Sequence, residues 1–283
     1  MKKFLGILCT IAISIVSLFG VFGFAGCGDD DAIIVYTEAG FAPFEYIYKG
    51  KIIGVDVDIM NKVGEKLGKN VKFENVGFDT IVDSVASGKK CDVGAAGISI
   101  TEERAEKVAF SDVYYTANLY VIYKKTDAST YESTTTDDVT GVYWDSLAGK
   151  KIAVQTGTTS DLFLGDELKG GILDGTDAAP VRSGALATAV ANVKKGEANV
   201  LIIDELPARK LIENESTLTC APLYYKGEDG EDDEITFDEY AICVTKGQDE
   251  LLKAINEVLK GLGEEGIQAL VNYHLGNAVD EEE

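Results

Sequence analysis

Apolar residues recur along the chain with two different periods, and the alternation between them predicts the architecture. Residues 33–37 (Ile-Ile-Val-Tyr-Thr) are a short β-forming run and predict a strand. Two short runs around Lys49-Gly50 predict a hairpin over 46–53. Val55, Ile59, Met60, Val63 and Leu67 then recur at helical spacing, and Gly68 follows where a left-handed helix end belongs. A strand at 71–76, a helix from Phe78 through Val85 closed by Gly88, and a strand at 92–96 complete the first hundred residues. Strands alternating with helices predict a mostly parallel sheet covered on both faces. The same grammar returns later. Strands are predicted at 119–123, 152–154, 199–203 and 240–245, and helices at 185–193, 251–261 and 266–275. Residues 108–115 read as an aromatic turn, the Ser/Thr/Asp-rich stretch 126–140 as a loop, and 226–239 as an exposed acidic insert.

Ligands of such sheets bind at the carboxyl ends of the strands, and the chemistry-bearing residues follow strands. Glu38 and Phe41 follow the first, Phe78 the next, and Gly97, Ser99 and Arg104 the third. The stretch 97–104 combines small residues, a hydroxyl, a helix start at Thr101 and a guanidinium, a set suited to a carboxylate. Gln155-Thr156-Gly157-Thr158-Thr159-Ser160 is a second anion-friendly helix start, or an ordinary capping cluster. It lacks the glycine spacing and lysine of a phosphate loop. Asp204 ends an apolar strand, where it can cap the following helix, pair with an ammonium, or do both. Arg104 with two amide-rich turns at one end and Asp204 at the other would hold a zwitterion.

Composition narrows the function classes. With 48 Asp+Glu against 26 Lys+Arg, the net charge of −22 argues against nucleic acid as a partner. A single histidine, His274, argues against Ser-His-Asp, Cys-His and His-metal catalysis. No cofactor or metal pattern is present; Cys91, Cys220 and Cys243 are widely spaced and read as buried free thiols. A Cys91–Cys243 bridge requires their strands to be neighbours. At the N-terminus, Lys2 and Lys3 precede an apolar run and Phe24-Ala25-Gly26-Cys27. This is an export signal, residues 1–27, whose end resembles a bacterial lipobox with Cys27 as the lipidated residue. A single transmembrane anchor is the alternative for a run of that length. Residues 28–32 form a polar tether and 277–283 an acidic tail.

Six motifs in order resemble the polar amino acid-binding proteins of ABC importers, solute-binding family 3. They are Phe-Ala-Pro-Phe-Glu-Tyr at 41–46, Gly-Val-Asp-Val-Asp-Ile at 54–59, Gly-Ile-Ser-Ile-Thr-Glu-Glu-Arg at 97–104, Phe-Ser-Asp-Val-Tyr-Tyr at 110–115, Val-Gln-Thr-Gly-Thr-Thr at 154–159, and Ile203-Asp204. The resemblance implies an α/β, two-lobed periplasmic binding protein-like fold (type II). Each lobe is a mostly parallel sheet flanked by helices, and a two-strand hinge joins the lobes near 115–117 and 237–240. Lobe 1 would comprise 33–115 and 240–276, and lobe 2 116–239. It implies that Arg104 clamps the ligand α-carboxylate together with Thr158 and Thr159, that Asp204 binds the α-ammonium, and that Ser99 and Gly97 add a hydroxyl and a carbonyl. Phe41 and Phe78 would sandwich the ligand side chain, Glu38 would reach its head group, and Gln155 belongs to the same site. The function implied is a monomeric, lipid-anchored extracytoplasmic protein, not an enzyme. It would deliver a free L-amino acid, with a basic or amide side chain favoured, to an ABC permease and its ATPase. Cystine is the alternative ligand, and a cyclohexadienyl dehydratase-like enzyme the alternative activity.

Overall fold

The structure, a computed structural model, describes residues 31–228 and 231–277. The export signal, Cys27, residues 28–30 of the tether and 278–283 of the tail lie outside the described residues. Two mixed sheets carry the fold. The first runs Val71–Asn75, Ile33–Thr37, Val93–Gly94, Cys243–Val244 and Ala109–Phe110 in spatial order. Its first three strands are parallel and its last two antiparallel to their neighbours. The second sheet repeats the plan. Ala179–Ser183, Lys151–Gln155 and Val200–Asp204 are parallel, then Tyr115–Lys124 and Leu218–Tyr225 alternate in direction. Parallel pairing falls where helices connect the strands, as the alternating sequence pattern requires.

The helix Val55–Leu67 forms as predicted and ends at Gly68, whose φ of 67° is left-handed. Its apolar positions Val55, Ile59, Met60 and Val63 are fully buried. Before it, Gly54 sits at φ 143°, and a Cβ there would lie 2.0 Å from the Phe44 carbonyl oxygen, so no other residue fits. The helix start at Thr101 also holds: its side chain accepts from the Arg104 amide at 3.2 Å. The C-terminal helical segment Asp249–Asn277 is interrupted at Gly263, between the two predicted helices.

One long strand, Tyr115–Lys124, links the sheets. Its first residues pair antiparallel with Phe237–Tyr240, and its remainder enters the second sheet.

Several sequence expectations are corrected. Residues 126–140 are not a bare loop. They contain a helical turn, Ala128–Tyr131, and a strand, Glu132–Thr134, paired with Thr140–Tyr143. One aromatic anchors this polar stretch: Tyr131 is buried with its ring 5.3 Å from that of Tyr123. The acidic insert 226–239 is not wholly exposed. Thr236 and Asp238 are buried, and the Trp144 indole N–H donates to the Thr236 hydroxyl at 3.1 Å. Phe237–Tyr240 alternates exposed and buried, the period of a strand, and the acidic composition masks it. The strands Ala179–Ser183 and Leu218–Tyr225 are additional to those expected. The predicted strand at 92–96 pairs only over Val93–Gly94.

Cys91, Cys220 and Cys243 are all free. Cys243 pairs in register with Gly94, so the strands are neighbours, yet no bridge forms. His274 is buried between the Tyr46 hydroxyl, 3.2 Å from Nδ1, and Asp58, 3.0 Å from Nε2. It ties the C-terminal helical segment to the strand Glu45–Tyr48 and the helix Val55–Leu67, and it lies outside the cavity described next.

Candidate functional site

A narrow cavity of about 20 Å³ lies between the two sheets, at the strand ends where ligands of such sheets bind. Glu38, Phe41, Phe78, Gly97 and Ser99 reach it from the first sheet's side. Gln155, Thr158, Thr159 and Asp204 reach it from the second. All stand at or just beyond strand carboxyl ends, where helix starts leave free amides. Arg104, the tenth predicted residue, is not in the lining. Its guanidinium is buried behind Ser99, with Nη1 donating to the Ser99 carbonyl at 2.6 Å and Nη2 to the Gly157 carbonyl at 2.8 Å. It stacks 5.6 Å from the Phe78 ring centroid. One side chain thus spans both lobes.

The turn carrying Gly97 and Ser99 is held from two directions. The Ile100 amide donates to the Glu239 carbonyl at 3.2 Å, and the Ala241 amide to the Ile98 carbonyl at 2.9 Å. The Gly97 amide donates to Asp56 at 3.0 Å, and Asp56 also accepts from the Tyr114 hydroxyl at 2.5 Å. Burial pushes the Asp56 carboxyl up to about 6, with those two donors pulling it back. Gly97 has φ 52°, and a Cβ there would lie 2.9 Å from the Phe41 ring. Gly157 has φ 79° and faces Asp79 of the first lobe, where a Cβ would lie 3.2 Å away. Both glycines allow close approach, here of the Phe41 ring and of Asp79.

Thr158 caps the helix Thr159–Glu167, accepting from the Asp161 amide at 3.4 Å. Thr159 donates to Asp238 and lies 3.3 Å from the Ser99 hydroxyl across the lobes. Asp204 makes no capping bond to the helix that follows. It lines the cavity, and its Oδ1 is buried without a hydrogen bond.

The electrostatics are lopsided. The lining holds three carboxyls, Glu38, Glu45 and Asp204, and no Lys, Arg or His. Glu45 was not among the predicted residues. It is fully buried, and neither of its carboxyl oxygens makes a hydrogen bond. Burial raises it well above the usual carboxylate range, and Asp56, Glu38 and Asp204 add to the rise. Burial also pushes Asp204 up to about 8, with Asp238 adding to it and the nearby Tyr240 hydroxyl pulling it down in part. Burial raises Glu38 too, opposed by the Gln155 side chain and the Gly40 amide. Arg104 is lowered by burial, which Asp238 counteracts. The signal that could have found Glu45 is its place in the 41–46 motif, two residues after a proline and beside Phe44. Nothing in its spacing shows that the hairpin strand Glu45–Tyr48 turns it inward.

The sequence profile of the bacterial extracellular solute-binding proteins, family 3, matches residues 33–277. The arginine-binding extracellular protein ArtP of Bacillus subtilis is 32% identical over 133 residues, which are 44% of this chain and 49% of that protein, about half its length. The L-cystine-binding protein TcyJ of Escherichia coli is 24% identical over 276 residues, 94% of this chain and 93% of that one. Among solved structures, the amino acid ABC transporter substrate-binding protein AbpA of Streptococcus pneumoniae bound to L-arginine matches with a TM-score of 0.74. It is 27% identical and covers 89% of this chain and 98% of its own. A mutant of the arginine-binding protein of T. maritima matches with a TM-score of 0.70 at 30% identity, covering 87% and 96%.

Proposed function

The chain belongs to the bacterial extracellular solute-binding proteins of family 3, and from that premise we propose that it captures a free L-amino acid with a cationic side chain, arginine foremost. The observation that carries this reading is the set of three carboxyls on a cavity wall without a cation. A buried carboxyl needs a positive partner to ionise, and a dibasic amino acid supplies two positive groups. Its α-ammonium pairs with Asp204, and its side-chain cation reaches Glu38 and Glu45 between the rings of Phe41 and Phe78. Its carboxylate goes to the Arg104 end, where the Thr158–Thr159 helix start offers amides. The arginine-binding relatives agree with this choice. Cystine also brings a second ammonium, but with it a second carboxylate that would face Glu38 and Glu45.

The lobes divide at the antiparallel pair formed by residues 115–118 with Phe237–Tyr240, giving 33–115 with 240–276 and 116–239. Closure about this pair buries the ligand without turnover. The protein then presents it to an ABC permease and its ATPase, as a monomer outside the cytoplasm tethered through lipidated Cys27.

A thermal-shift panel of the common L-amino acids, ornithine and cystine tests the reading. Arginine gives the largest rise in Tm, followed by lysine and ornithine. If none of the panel stabilises the protein, the assignment fails. Glu45→Gln removes one of the two charges at the side-chain end. Arginine affinity then falls by roughly 10- to 100-fold relative to glutamine affinity, from the ~1.5–3 kcal/mol of a charge-assisted hydrogen bond. Calorimetric titration of both ligands reads this ratio, and an unchanged ratio removes Glu45 from the site.

A further inference from the structure

Ser99 and Thr159 line the cavity, one from each lobe. The family resemblance assigns amides and a hydroxyl of the Thr158–Thr159 turn to the ligand carboxylate, a role in which the hydroxyl must donate, yet the Thr158 hydroxyl already donates to the Gln155 carbonyl at 2.8 Å. The hydrogen-bond directions here do not allow that. Asp238 stands behind the pair, buried on the strand Phe237–Tyr240 and outside the cavity lining. An ionised carboxylate only accepts, and a hydroxyl has one proton and two lone pairs. Thr159 therefore commits its proton to Asp238. The Ser99 hydroxyl, 3.3 Å from Thr159 Oγ1, gives its proton to that oxygen or to Asp238, its two protein acceptors. In either case neither proton is left for a ligand, and both oxygens keep lone pairs with which to accept from one.

We infer that Asp238 is a positioning residue that fixes ligand orientation: it polarises the Ser99–Thr159 pair so that the pair accepts from the ligand's α-ammonium and does not donate to its carboxylate. The inference rests on the amino-acid reading above and refines it. The ammonium then lies between Asp204 and the two hydroxyls, and the carboxylate is left to Arg104 and backbone amides. Asp238 keeps its charge in this setting because Thr159, Arg104 and Ser99 oppose the effect of burial, which raises it to about 6. It also offsets the Arg104 charge, so the guanidinium and the hydroxyl pair are organised from one carboxylate.

Calorimetric titration with three probes separates the possibilities: L-arginine, its decarboxylated amine agmatine, and its des-amino acid 5-guanidinopentanoate. In Thr159→Val the expected loss is about tenfold for arginine and for agmatine, and distinctly smaller for the des-amino acid. Thr159→Ser restores the wild-type ratios. On arginine alone, Asp238→Ala costs at least a similar factor, because the carboxylate also offsets the Arg104 charge, and adding Thr159→Val to it costs far less than Thr159→Val does in the wild type, because Asp238 acts on the ammonium through Thr159. A loss concentrated on arginine and the des-amino acid, a loss shared equally by all three probes, or additive single effects on arginine overturns the inference. Failure of the wild-type protein to bind arginine or any other amino acid is a different result, and it overturns the proposed function itself.

Discussion

Replacing Arg104 with Ala weakens amino acid binding by at least about 30-fold, the lower end of the ~2–5 kcal/mol lost when one partner of a buried charge pair is truncated. The effect is large because the guanidinium serves two ends at once. It bridges the Ser99 carbonyl of one lobe and the Gly157 carbonyl of the other, and it places its positive charge one residue before the Thr158–Thr159 helix start. A carboxylate is a stronger partner for the fork than a neutral carbonyl, so an arriving ligand can draw it from these bonds without leaving it unpaired. Arg104→Lys keeps the charge but not the planar fork, and an intermediate loss is expected. The variants are measured by calorimetric titration beside their unfolding curves. Removing Arg104 strands two carbonyls, so Tm drops as well. An Arg104→Ala protein that stays folded and binds arginine within about threefold of wild type would falsify the clamp.

The second large effect is on pH dependence. Burial holds the Asp204 carboxyl up near 8 in the protein alone, and an ammonium beside it favours the ionised form. Ligand binding at pH 7 therefore releases close to one proton. Affinity rises by roughly tenfold per pH unit from about 6 to about 8, then levels off. The same shift has the opposite sign for the protein without ligand. A carboxyl whose folded pKa is raised contributes stability that is full below its unfolded pKa and is lost as pH rises through the folded one. The ligand-induced rise in Tm consequently grows between pH 6 and 8. Titrations in buffers of different ionisation enthalpy count the released proton. Asp204→Asn removes both the proton release and most of the affinity. A flat affinity across this window, with no proton exchanged, would leave Asp204 without its assigned role.

Much of the site is legible in the chain itself because the recognition of a zwitterion uses local devices. A helix start offers amides, a glycine lets a ligand approach, and an acid at a strand end faces the carboxyl edge. Each is written within a few neighbouring residues, as at 97–104, 155–160 and 203–204. The helices are legible for the same reason: the apolar spacing of Val55–Leu67 and its terminal Gly68 depend on no distant partner.

Three features depend on partners far along the chain, and only the tertiary structure decides them. Asp238 sits in an acidic run whose composition suggests solvent, and pairing with the 115–118 segment turns it inward against Thr159. Glu45 is exposed or buried according to which way a short hairpin folds, and here the fold closes over it. The resemblance implies that Arg104 clamps the ligand carboxylate, but the turn around Ser99 and the approach of Gly157 place it behind the wall, bridging the lobes. The residue types and the chemistry they suit come from local sequence. Which carboxylates the cavity shares, and which way its hydroxyl protons point, depend on contacts between strands and lobes that no local pattern encodes.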